Sequence, residues 1–157
     1  MGKKKTGRLK LIVDTREQKP LEFNEDVFDE VVREGVPVAD YWAELDGVQL
    51  PLVFERKGMG DLFGTMTKGY QRFKREIERG KEHKLQIVLL IEGSMRDVAA
   101  GYKHSKFEGK SMLKKLAMLR VRYDLEWHCF NDRAEMAKFI ELHFDAVRRN
   151  FSKRGKS

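Results

Sequence analysis

The chain has 157 residues, of which 41% are hydrophobic and 36% charged, and a formal net charge of +7. That is the length of one domain with its own core, and a sequence pI near 9.5 favours a polyanionic partner such as nucleic acid. The single cysteine, Cys129, excludes an intrachain disulfide framework and a thiolate metal cluster, and no apolar run approaches the roughly 18 residues of a membrane span.

A reducing, intracellular setting is therefore expected: cytoplasm or nucleoid in a prokaryote, nucleus in a eukaryote. No membrane is expected as a partner. Part of the charge lies at the ends, in Lys3-Lys4-Lys5 and in Arg148-Arg149 with Lys153-Arg154-Lys156. Residues 9–150 should form a single domain, with basic flexible tails at 1–8 and 151–157.

In chain order, residues 9–13 read as a buried strand that ends in Asp14-Thr15-Arg16-Glu17. Asn24 or Asp26 can cap a helix carrying Val27, Phe28, Val31 and Val32 at helical spacing, stopped by Gly35. Residues 36–45 read as strand, and Asp46-Gly47 is a hairpin signal that returns the chain as a second strand over 48–54. Folding back there sets Asp40 opposite Val53 and Phe54, a few ångströms from Glu55. On that strand Glu55 and Lys57 point one way and Arg56 the other.

After Gly58-Met59-Gly60, Asp61 can cap a short helix with Leu62, Phe63 and Met66. A longer basic helix is expected over 68–83, with Tyr70, Phe73 and Ile77 on its buried face. Residues 86–92 form a near-continuous apolar run, as in a central strand buried on both faces. Ser94 can cap a short helical turn. Residues 101–109, with Tyr102, Lys103, His104 and Lys106, read as a basic loop. A helix beginning at Ser111, a strand over 126–130 and a last helix over 136–149, capped by Asn131 and Asp132, complete the chain. Helices and strands alternate after an early hairpin, which gives an α/β fold with a mixed central sheet flanked by helices.

The acidic residues at strand ends are Asp14, Asp40 and Glu55, accompanied by Arg16, Glu17, Arg56 and Lys57. Carboxylates without histidine or cysteine make a hard-oxygen site, suited to Mg²⁺ or Mn²⁺ rather than zinc. A neighbouring lysine adds positive charge where negative charge develops on a phosphate. The basic residues around Arg72, with Lys68 and Lys74, and those around Lys103 supply contacts to a phosphate backbone. Together these describe metal-dependent hydrolysis of a phosphodiester. Glu-x-Lys taken alone is more often a surface ion pair, and Asp61 alone a helix cap. The four histidines show no ligand spacing, Gly58-Met59-Gly60 lacks the lysine and hydroxyl of a phosphate loop, and Tyr41 and Trp42 read as core before base-stacking residues.

Three stretches also carry a resemblance: Val13-Asp14-Thr15-Arg16-Glu17, Ala39-Asp40-Tyr41, and Phe54-Glu55-Arg56-Lys57 with Asp61 four residues on. In order and spacing they resemble the nuclease domain of the XPF family of structure-specific endonucleases. Residues 87–92 resemble that family's Val-Leu-Leu-Ile-Glu strand, and the match covers about residues 9–92. The resemblance implies a restriction-endonuclease-like fold, a divalent metal, cleavage of branched, flapped or junction DNA, and a place in DNA repair or recombination. By it Asp40 and Glu55 would be metal ligands, Asp14 would complete the acidic cluster, and Lys57 would be the catalytic lysine. Arg56 would be structural or phosphate-facing, with Arg16, Lys68, Arg72 and Lys74 toward DNA and Glu17, Asp61 and Glu76 accessory.

The chain departs from the pattern at Ala39, where glycine is common, and at Glu76, where glutamine is common. No tandem helix-hairpin-helix domain follows within the 157 residues, so a stand-alone nuclease or a fragment is expected. A homodimer or a partner protein is left open. The competing reading is a catalytically silent DNA-binding or scaffolding member of the same fold, which would bind nucleic acid without metal. An RNA-binding module lacks support, since no Lys/Arg-Gly-Phe-type strand motif is present.

Overall fold

The structure is a computed structural model that describes residues 7–24 and 26–154, with side chains through Phe151. A mixed sheet of seven strands organises it. β1 (Leu9–Asp14) lies beside β3 (Tyr41–Leu45), which pairs antiparallel with both β1 and β5 (Leu52–Lys57). β6 (Gln86–Glu92) and β7 (Glu126–Phe130) extend the sheet from β5 in parallel, and the short β4 (Val48–Gln49) pairs with β3. This is the expected α/β architecture, a restriction-endonuclease-like mixed sheet between helices.

Alternation along the strands divides the core into two layers. Ile12, Trp42, Val53 and Leu89 face α1 (Met59–Met66), α2 (Tyr70–Glu82) and α4 (Gly109–Tyr123), against Phe63, Phe73, Ile77 and Leu116. Leu11, Tyr41, Phe54 and Leu90 face α5 (Arg133–Arg154), against Met136, Ile140 and Phe144. The run 86–92 is buried on both sides because it serves both layers.

The Asp46-Gly47 hairpin forms, with Asp46 and Gly47 at φ of 51° and 81°. Leu45 pairs with Val48, but Tyr41 pairs with Phe54, so the returning chain holds two extra residues. Pro51, which lacks an N–H, sits in that interruption. An even offset leaves every side chain on its expected face, so Glu55 and Lys57 still share one.

The helix expected over 24–35 does not form. Glu30–Glu34 is instead β2, an edge strand parallel to β1. The Asn24 side chain accepts the Asp26 N–H at 3.0 Å in a local turn rather than capping a helix. Phe28 enters the core from this turn, and β2 takes the backbone bonds of β1 that would otherwise be left buried and unpaired. The strand expected over 36–45 begins only at Tyr41, because Pro37 cannot donate and Ala39 adopts a left-handed φ of 63°.

Helix ends differ in a similar way. α1 starts at Met59 with Gly58 before it, so Asp61 is a first-turn residue rather than the cap. α4 begins at Gly109, not Ser111, and α5 at Arg133. The Ser94 cap of α3 (Met95–Ala100) is present as a reciprocal box with Asp97.

The Arg8 N–H donates to Asp46 at 2.8 Å and its guanidinium reaches Glu30 at 3.1 Å, while α5 continues to Arg154. The rest of the expected tails lies outside the described residues. Among the described residues no helix is long and apolar enough to cross a membrane.

Candidate active site

β1 and β5 run in the same direction with β3 reversed between them. The ends of β1 and β5 and the entry to β3 therefore share one sheet edge. Main-chain bonds fix that edge: the Asp14 N–H donates to the Asp40 carbonyl at 2.8 Å, and the Asp40 N–H to the Phe54 carbonyl at 2.9 Å. The turn at Ala39, costing about 1–2 kcal/mol in a non-glycine residue, delivers Asp40 beside the strand end.

Asp40, Glu55 and Glu76 line a cleft of about 300 Å³ together with Asp14, with Arg16, Arg72, Arg75 and Arg79 among the other lining residues. Asp40 Oδ2 accepts the Arg56 N–H at 2.8 Å. Burial pushes the Asp40 carboxyl up to about 7, against the opposing pull of the Arg56 N–H and of Lys57. Glu55 is 6% exposed, and its Oε2 has no hydrogen-bond partner. Burial, then the charge of Glu76, drives its carboxyl well above the usual range, and Lys57 again opposes the shift. Glu76 accepts the Ala39 N–H at 3.1 Å and faces Glu55 across the same cleft. Lys57 lines an adjoining cleft of about 340 Å³ that also includes Arg72, Glu76 and Asp61.

Asp14 is buried, and both of its oxygens are engaged, one with Arg16 Nε at 2.7 Å and one with the Val36 N–H at 3.2 Å. Arg16 also donates to the Val36 carbonyl at 2.7 Å. This pair ties down the loop that leads to Asp40, while Asp14 still lines the carboxylate cleft. Among the described residues no three His, Cys, Asp or Glu are grouped to hold one ion, although Asp14, Asp40 and Glu55 line one cleft.

Arg56 is corrected as a DNA contact. It lies on the opposite face, 9% exposed at its side chain, bound to Glu17 at 2.5 and 2.8 Å and to Glu92 at 2.9 Å. Tyr41 donates to Glu17 at 3.1 Å, and Arg133 joins the network at Glu92. Glu17 is thus structural. Lys68 lies beyond the Lys57 cleft, and the Lys74 ammonium rests over the Tyr70 ring at 4.8 Å. Sequence reasoning passed over Arg75 and Arg79 as site residues. Their signal was helical spacing: 72, 75, 76 and 79 fall on one face of α2.

The raised carboxyls have a testable consequence. A folded value above the ordinary 3.8 stabilises below that pH, and the benefit disappears as pH rises through about 7. Metal-free protein therefore loses stability between about pH 4 and 7. Asp40→Asn keeps an acceptor for Arg56 and should exceed the parent at pH 8 by about 1–3 kcal/mol, with little difference at pH 4. Urea unfolding in EDTA at the two pH values measures this, and a difference independent of pH would refute it.

The comparisons with known proteins agree with this geometry. The ERCC4 domain family model matches residues 13–142. XPF from Aeropyrum pernix superposes with a TM-score of 0.61 at 18% identity, covering 92% of this chain and 66% of that one. The same protein in complex with DNA gives 0.63 at 20% identity, covering 94% and 66%. The chain thus spans just under two thirds of the length of either. No curated protein sequence matches it. With that domain across most of its length and the XPF fold around its carboxylate edge, the chain belongs to the ERCC4 domain family of nucleases.

Proposed function

We propose that the chain is a divalent-metal-dependent endonuclease that hydrolyses DNA phosphodiester bonds, acting at branched, flapped or junction DNA. The observation that carries this is the buried, unpartnered Glu55 Oε2 beside the raised Asp40 carboxyl. Burial holds both carboxyls away from ionisation, more than Lys57 offsets, and a hard divalent ion would relieve both. The pair suits Mg²⁺ or Mn²⁺, which commonly take one or two carboxylates and keep water and phosphate as their other ligands. Asp40 and Glu55 would hold the ion, which when bound would supply Lewis-acid polarisation of a phosphate oxygen and charge neutralisation.

Lys57 shares the face of Glu55 and brings a cation to the same edge, where it orients water and offsets developing negative charge. Arg16, Arg72, Arg75 and Arg79 offer positive charge to the phosphate backbone. The DNA complex of the structural neighbour supports DNA as the polyanion. An intracellular setting, and a second copy or partner protein that adds DNA contacts, belong to the same proposal.

The engagement of both Asp14 oxygens favours a second reading, a DNA-binding scaffold without chemistry. Metal separates the two. At pH 7.5, Mn²⁺ at 100 times its dissociation constant should raise the unfolding midpoint by about 5–10 °C, from roughly 2.7 kcal/mol of linkage. Glu55→Gln should abolish that shift. Labelled single-strand, duplex, flap and fork DNAs should be cut with Mg²⁺ or Mn²⁺ and not in EDTA. Binding without a metal shift or cutting would establish the scaffold.

A further inference from the structure

We infer that a single unpaired DNA strand leaves the catalytic edge along a groove over the outer face of α1, passing Gly60 and Gly64 to the Lys68–Lys106 rim. The inference rests on the nuclease reading above and adds the identity and path of one substrate arm. Three clefts adjoin. The carboxylate cleft shares Arg72 and Glu76 with the Lys57 cleft, and the Lys57 cleft shares Gly60 and Gly64 with an outer cleft of about 510 Å³. Lys68, His104 and Lys106 line that outer cleft beside Phe63, Tyr102 and Phe107.

The floor is made by residues without side chains. A Cβ added at Gly64 would meet nothing within 4 Å, so any larger residue there would project into the groove and not into the core. At Gly60 a Cβ would come within 3.1 Å of the Tyr102 hydroxyl, which holds the far wall against the helix. Lys57, Lys68, Arg72 and Lys106 set four cations against Asp61 and Glu76 along the track, so the charge suits a phosphate backbone.

Aromatic groups at the outer end decide for single strand over duplex. The half-buried Tyr102 is seated on the core ring of Phe63, 1% exposed, with centroids 6.0 Å apart, and meets the exposed His104 at 5.3 Å, so Tyr102 and His104 are the rings open to a base. A positive groove interleaved with rings is how proteins hold unpaired strands, whose bases are free to stack. Clefts of 300–510 Å³ in file receive nucleotides one after another, whereas the bases of a duplex are stacked within it and unavailable to these rings.

The test is binding of a fluorescein-labelled 20-nucleotide single strand, with a duplex of equal length as comparator, in EDTA so that nothing is cut. Two full-length variants are used: Gly64→Gln, and Lys68→Ala with Lys106→Ala. Gly64→Gln replaces a helix-interior glycine with a better helix former, so its unfolding midpoint should not fall. Its dissociation constant for the single strand should rise about tenfold, with the duplex constant changed less than threefold. The lysine pair should lower the slope of log affinity against log salt by about 1.4 for the single strand. Wild-type affinity in both variants overturns the groove, as does a wild-type protein that does not bind the single strand. An equal or larger loss for the duplex overturns the single-strand assignment. Cleavage by the wild type is scored separately: variants that bind normally while the wild type cuts refute only the groove, and a wild type that binds but never cuts refutes only the nuclease reading.

Discussion

Lys57→Ala should lower metal-dependent cleavage by at least about 10²–10³-fold, the scale seen when one group that stabilises transition-state charge is removed. DNA affinity should stay within about threefold. The separation follows from placement. Lys57 ends β5 on the face of Glu55, is half-buried, and acts on both Asp40 and Glu55 through space, lowering each carboxyl. Its charge is directed at the catalytic edge, while Arg72, Arg75 and Arg79 line the cleft on one exposed side of α2. Losing one inner cation removes a contribution that grows as negative charge develops, and removes little of the ground-state attraction to DNA. The rate constant should fall with KM nearly unchanged. Arg72→Ala is the reciprocal case: affinity falls on every sequence and the salt slope for duplex drops by about 0.9. A Lys57→Ala protein that is folded but no longer binds DNA would place Lys57 on the binding surface instead.

The features that local rules govern were legible in the sequence. Asp46-Gly47 set the hairpin, and strand alternation placed Glu55 and Lys57 together with Arg56 behind them. The two extra residues around Pro51 did not disturb this, because an even slip preserves faces. What was not legible depends on partners distant in sequence. Val27, Phe28, Val31 and Val32 have helical spacing, yet the free edge of β1 claims Glu30–Glu34 as a strand. The oxygens of Asp14 are engaged by the chain at Val36, a loop whose path follows from Pro37 and Ala39. Glu76 read only as an accessory residue at a position where the resembled family commonly has glutamine. Only the packing of α2 across the sheet edge sets it against Glu55.

Arg56→Met should destabilise the domain by about 3–5 kcal/mol at pH 7, a fall in unfolding midpoint of roughly 10 °C or more. Arg56 joins residues brought together only by the fold: Glu17 after β1, Glu92 at the end of β6, and through Glu92 the Arg133 that begins α5. With Glu17 and Arg56 exposed by only 3% and 9% at their side chains, solvent screens the pair little. Burial alone would raise the Glu17 carboxyl, but the Arg56 hydrogen bonds outweigh it and hold the group below its ordinary 4.5. Glu17 therefore contributes stability above that pH and loses it as pH falls through the lowered value. Without Arg56 the sign reverses: a buried carboxylate with no guanidinium favours the proton, so the deficit of the variant should shrink between pH 7 and pH 4. Adding Glu17→Gln to Arg56→Met should recover part of the loss, since it removes the stranded charge rather than a further contact. Urea unfolding of the two single variants and the double variant at both pH values completes the cycle. A deficit under 1 kcal/mol, or one that does not change with pH, would mean that β5 is held by its apolar neighbours alone. The position of Asp40 would then owe nothing to the charge network, although the main-chain N–H of Arg56 grips its carboxylate on the other side of the sheet.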